Sequence, residues 1–138
     1  MEAYTRLEFL GKGTTGSVYK VRRHADGRLF VVKQVVLTGF SAAQRHEILH
    51  EVSVMAQLMH PNVVAYEESF ARADSLHIVM ELLSGGDLAQ EVHKRSAPFE
   101  EEDVWSVLVQ VCEGLQHLHE RRVLHRDLKP ENTFSDGR

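Results

Sequence analysis

The chain changes its hydrophobic periodicity once, at Gly85-Gly86, and that change limits the folds open to it. Before the break, the residues follow strand rules. Leu7-Glu8-Phe9-Leu10, Ser17-Val18-Tyr19-Lys20-Val21 and Leu29-Phe30-Val31-Val32-Lys33-Gln34-Val35-Val36 are rich in β-branched and aromatic side chains, which suit a pleated, half-buried surface. Asp26-Gly27 between the second and third runs is a hairpin signal, so the three read as an antiparallel meander. Ser41-Ala42-Ala43-Gln44 fits a capping box. The helix it opens carries Ile48, Val52, Met55 and Leu58 on one face and is expected to stop before His60-Pro61. Residues 62–70 and 75–83 read as two more strands.

After the break the pattern is helical. Glu100-Glu101-Glu102-Asp103 suits the positive end of a helix dipole. Val104, Leu108, Val111, Leu115 and Leu118 then recur at helical spacing up to about Arg121. Cys112 lies near this stripe and reads as a small core residue, while His117 and His119 read as surface residues. The expected fold class is α+β: a five-stranded antiparallel sheet with one helix over residues 1–83, then a helical part over residues 84–138.

Composition sets the outer bounds. The chain has 138 residues, 43% apolar and 26% charged, the proportions of a soluble globular domain and not of a disordered or fibrous one. No run of ~18 apolar residues is present for a membrane span, and no basic-then-apolar start marks a signal segment. A single cysteine, Cys112, excludes a disulfide scaffold and suggests a reducing, intracellular setting. Net charge is −4, yet residues 12–33 hold six basic side chains against Asp26 alone. Such a patch attracts polyanions generally, although a solvated strand face is the simpler reading.

Gly11-Lys12-Gly13-Thr14-Thr15-Gly16-Ser17-Val18 spells G-x-G-x-x-G-x-V. Glycines let backbone N–H groups approach phosphate oxygens closely. A dinucleotide-binding version would open a helix and meet an acidic residue about 20 positions later. Here the chain continues as a strand, and Asp26 comes too early. A Walker loop is excluded because Gly16 is followed by Ser-Val and not by Lys-Ser/Thr. What fits is a strand, glycine loop and strand folded over nucleotide phosphates, with Lys33 on the next strand. A lysine inside an apolar strand needs a partner, and Glu51 on the following helix offers one. An exposed Lys33 is the plainer alternative.

His125-Arg126-Asp127-Leu128-Lys129-Pro130-Glu131-Asn132 matches H-R-D-x-x-x-x-N at every defined position, the catalytic-loop string of protein kinases. With the glycine loop and Lys33 in the same order, the chain resembles a eukaryotic serine/threonine protein kinase. Val31 before the strand lysine, Phe134, His60-Pro61-Asn62, Ile78-Val79-Met80-Glu81 and Gly85-Gly86-Asp87-Leu88 make it similar to the NIMA-related (Nek) group. The resemblance implies a kinase-like N-lobe over residues 1–83 and a truncated helical C-lobe over residues 84–138.

It also implies roles. Asp127 would be the catalytic base, and Lys129 would contact the transferring phosphate. Asn132 would bind Mg2+, and Lys33, paired with Glu51, would hold the α/β-phosphates of ATP. Leu10, Val18, Val31 and Phe134 would wall the adenine pocket, with Met80 as gatekeeper and Glu81 to Leu83 as the hinge. Gly11, Lys12, Gly13, Thr14, Thr15, Gly16 and Ser17 would cover the phosphates, and Asp87 would reach ribose or substrate. The implied partners are ATP and a protein with a Ser or Thr acceptor, with no nucleic acid or membrane. The implied location is cytoplasmic, with a cytoskeletal association in the family. Oligomeric state is left open.

Two further expectations follow. His46-Glu47-Ile48-Leu49-His50 is an H-E-x-x-H string, which in a zinc metalloprotease places two histidines on one helix face with a glutamate base; no obvious third ligand follows, so it stands as a remote alternative. A complete kinase continues through a D-F-G magnesium ligand and an activation loop, which do not occur here. The chain alone is therefore expected to have little or no phosphotransferase activity, with a non-catalytic nucleotide-binding or interaction module as the competing reading.

Overall fold

The computed structural model describes residues 3–13 and 16–137. Thr14 and Thr15, two of the glycine-loop residues named above, lie outside the described residues. The chain forms two compact units. One runs to Met59 and resumes over Val64–Leu82, and the other takes in His60–Val63 and everything from Leu83 onward.

The first unit is built on an antiparallel sheet. β1 (Tyr4–Gly13), β2 (Gly16–Arg23), β3 (Leu29–Val36), β4 (Tyr66–Arg72) and β5 (Ser75–Glu81) are arranged in the order β1-β2-β3-β5-β4. The β2–β3 turn forms where Asp-Gly forecast it: Gly27 takes φ +72, and Asp26 accepts from the Arg28 N–H at 3.1 Å and from Arg23 at 2.6 Å. That pairing with Arg23 holds the Asp26 carboxyl down at about 2. Period-2 alternation sends the two faces of β3 to different cores. Phe30 and Val32 join Tyr4, Val21 and Val79 on one face. Val35 joins Leu76, Ile78 and Val52 on the other.

Val52 comes from α1 (Ala42–Met55), which starts with the forecast capping box: Ser41 Oγ accepts from Gln44 N at 3.3 Å, and Gln44 Oε1 accepts from Ser41 N at 2.9 Å. Several boundaries differ from expectation, among them the ends of β4 at Arg72 and of β5 at Glu81. α1 stops at Met55, so Leu58 lies beyond it, and β4 begins at Tyr66 because His60–Val63 forms a turn, with Val63 N–H donating to the His60 carbonyl at 3.1 Å.

The second unit contains β6 (Gly86–Asp87), α2 (Leu88–Lys94), α3 (Glu101–Glu120), a 3-10 turn at Pro130–Asn132 and β7 (Phe134–Ser135), with β6 paired antiparallel to β7. Neither the short α2 nor this two-stranded ribbon is among the expected elements. α3 corrects two expectations. Its buried residues are Gly114, His117 and Leu118, while Val104 and Leu108 stay about half exposed. The packed face keeps Leu118 of the expected stripe, with Val111 and Leu115 half-buried, and adds Gly114 and His117 beside it. Cys112 therefore falls on the outer side and is exposed, and His117 is a buried residue and not a surface one. The cause is Gly114: a Cβ there would lie 2.8 Å from the Asn62 carbonyl oxygen, so the 60–63 turn packs directly on the helix backbone.

Candidate active site

Four of the nucleotide-facing candidates of the first unit share one sheet face, while Ser17 and Glu81, opposite Gln34 and Phe30, fall on the other. Antiparallel register sets Val18 opposite Lys33 and Lys33 opposite Ile78, and sets Val31 opposite Met80. Directly opposed residues point to the same side of a sheet, so Val18, Val31, Lys33 and Met80 form one patch. α1 covers the same face further along, through Ile48, Val52 and Met55, which puts Glu51 on the element beside the lysine. The two are not joined here: among the described residues, the ion pairs do not include Lys33 with Glu51, and Glu51 is exposed.

The glycine loop divides its labour. β1 and β2 remain paired through Gly11↔Val18, Lys12↔Ser17 and Gly13↔Gly16. A Cβ on Gly16 would sit 2.1 Å from the Gln34 carbonyl oxygen, so this glycine is required by strand packing itself. At Gly11 a Cβ would meet nothing within 4 Å among the described residues. That position leaves open space beside a backbone of the kind that approaches phosphate. Leu10, next to it, is exposed. Glu81 has a structural task as well, its carboxylate accepting the Ala65 N–H at 2.6 Å.

The second unit holds the catalytic-loop string in a tight cluster. Asn132 Nδ2 donates to both the carbonyl and the carboxylate of Asp127, each at 2.8 Å. Lys129 Nζ lies 3.0 Å from the other carboxylate oxygen, and the Asp127 N–H donates to His125 Nδ1 at 3.3 Å. Lys129 first, then Asn132, hold the Asp127 carboxyl below the usual carboxylate range. The side chain nevertheless stays 65% exposed, so it is oriented without being covered. Arg126, just before it, takes φ +64, a conformation uncommon outside glycine that concentrates at functional sites.

Residues beyond the string hold it in place. Thr133 Oγ1 donates to the Lys129 carbonyl at 3.2 Å, and the Thr133 carbonyl accepts the Leu88 N–H at 2.8 Å. β7 then pairs Phe134 with Asp87 on β6. Sequence reasoning missed this tether because Thr133-Phe134-Ser135 carries only one apolar residue. Asp87 caps α2, its two carboxylate oxygens accepting from Gln90 N at 2.8 Å and Gln90 Nε2 at 2.5 Å. Phe134 is 48% exposed.

Asn132 offers a single oxygen to a hard cation. Asn132 spends its Nδ2 on Asp127, and among the described residues its Oδ1 has no hydrogen-bond donor; amide oxygens with water and phosphate are the ligands Mg2+ takes. On α1, His46 and His50 are exposed. Among the described residues, no group of three or more His, Cys, Asp or Glu side chains is placed to hold a metal ion, and no helix is long and apolar enough to cross a membrane.

Comparison with known proteins gives the family. Residues 4–138 match the protein kinase domain. Serine/threonine-protein kinase Nek1 of Mus musculus is 41% identical over 135 residues, covering 97% of this chain and 11% of the relative. The probable serine/threonine-protein kinase nek2 of Dictyostelium discoideum is 37% identical over 144 residues, covering 99% and 34%. Nek10 of Homo sapiens is 37% identical over 142 residues, covering 94% and 12%. The chain thus spans about a tenth to a third of these relatives. It belongs to the protein kinase domain family, and the relatives it resembles are Nek serine/threonine kinases.

Proposed function

We propose that this chain supplies the nucleotide-holding and catalytic-loop parts of a serine/threonine kinase, whose reaction moves the γ-phosphoryl group of ATP to a protein Ser or Thr hydroxyl. The observation that carries this reading is the Asp127 cluster, in which one carboxylate is held by Asn132 on one oxygen and Lys129 on the other. A carboxylate kept ionised can orient an acceptor hydroxyl and take its proton. Lys129 is then positioned to counter charge on the phosphoryl oxygens, since phosphoryl transfer depends on positioning and charge stabilisation.

Asn132 would hold Mg2+ through Oδ1. When bound, Mg2+ supplies neutralising charge along the phosphates. Lys33 would hold the α/β-phosphates, with Glu51 swinging in from α1 as its partner. The backbone N–H groups from Gly11 to Ser17 would cover those phosphates, while Leu10, Val18, Val31, Met80, Glu81, Leu83 and Phe134 would receive adenine. In this reading Asp87 gives up its bonds to Gln90 if it is to reach ribose or substrate.

Nucleotide binding tests the first half directly. Titration of the chain with ATP and Mg2+ is expected to show binding that Lys33→Met weakens at least tenfold; equal affinity in both proteins would remove Lys33 from the site. A second reading, a nucleotide-binding module without catalysis, is favoured by the unjoined Lys33 and Glu51. It predicts that Asp127→Asn changes no activity in any longer protein that carries this segment.

A further inference from the structure

Two histidines of the second unit touch one another and take no part in the site above. The rings of His60 and His117 lie with centroids 4.9 Å apart and planes inclined by 39°. His60 opens the turn that packs on α3. Its Nδ1 accepts the Asn62 N–H at 3.1 Å, so the ring is held as the tautomer with its proton on Nε2. Asn62 in turn fastens the turn to the helix: its Nδ2 donates to Gln110 Oε1 at 3.2 Å, and its carbonyl lies against Gly114. His117 is 9% exposed, and its Nε2 is buried with no hydrogen-bond partner. A pocket of about 410 Å³ is lined by His60, Pro61, Glu113, Gln116, His117 and Glu120.

The geometry points to a pH-operated clasp, in which protonation of buried His117, packed on the His60 ring, releases the His60–Val63 turn from α3. A proton added to His117 places a cation in a buried ring against His60. Burial chiefly, then Arg121 and His60, hold His117 below the usual histidine value, and Glu120 opposes them. The charged groups around the pair are Glu113, Glu120 and Arg121 of α3 and its end, with Arg121 Nη1 also donating to the His117 carbonyl at 3.2 Å. The turn contributes no charged group besides His60, because Pro61, Asn62 and Val63 carry none.

The sign follows from linkage. A histidine whose value is lowered in the closed state binds its proton more readily in the open one. The closed state is therefore fully favoured above the ordinary value of ~6.5 and loses ground as pH falls below it. Each proton taken up on opening shifts the balance about tenfold per pH unit.

Amide hydrogen exchange of Asn62 and Val63, followed by NMR in the full chain from pH 7.5 to pH 5 and corrected for intrinsic chemistry, tests the clasp. Their opening is expected to rise by up to about tenfold per pH unit below ~6.5, while α2 amides do not follow. His117→Phe keeps an aromatic ring and His60→Asn keeps an acceptor for the turn N–H; either is expected to lower the pH slope. A slope unchanged in the variant that folds, or opening independent of pH in the wild type, would overturn the proposal.

Discussion

Asp127 shows how much one side chain depends on its immediate neighbours. Its two oxygens are divided between Asn132 and Lys129, so removing either partner has a separate consequence. Lys129→Met is expected to bring the Asp127 titration back up toward the ordinary aspartate value of ~3.9, read by carboxyl NMR. The string from His125 to Asn132 was legible as a catalytic loop because its residue types are so specific. The bonds inside it were not, since a pattern of letters does not show which oxygen Asn132 will choose. Asp87 shows the opposite limit. Asp followed three positions later by Gln is a helix-start pattern, and the sequence reading passed over that local bond in favour of ribose or substrate.

At the scale of elements, the sheet and α1 were readable because their signals are local. Asp-Gly, the capping box and alternating apolar runs each act within a few residues. Ser41→Ala is expected to cost about 1 kcal/mol of stability, measured by urea denaturation. The glycine loop makes a sharper test. Gly16→Ala forces a Cβ into the Gln34 backbone and is expected to destabilise by about 1–3 kcal/mol. Gly11→Ala meets open space in the protein, so it should leave stability nearly unchanged and weaken nucleotide binding instead. The burial of Gly114 and His117 on α3 was illegible for a non-local reason. Burial of that helix follows the Asn62 carbonyl reaching Gly114 from 52 residues away in sequence, and no periodicity within the helix records that approach.

Across the whole chain, buried histidines connect stability to pH. His77 stacks on Phe70 at 5.1 Å with its Nδ1 buried and unpaired. Burial first, then Arg6 and Arg72, lower its pKa, as burial does for His117. Both groups favour the folded state above the ordinary histidine value of ~6.5 and oppose it as pH falls below. The urea midpoint is expected to drop between pH 7.5 and pH 5.5, and His77→Phe should flatten that dependence. The central claim concerns the chain as part of a kinase, and a graft tests it most directly. Residues 4–138 would replace the matching segment of mouse Nek1, with phosphate transfer from ATP to a Ser/Thr peptide as the readout. The graft is expected to transfer phosphate, and Asp127→Asn in it to transfer at least about a hundredfold less with ATP affinity unchanged. Equal transfer by the graft and its Asp127→Asn form would contradict the account.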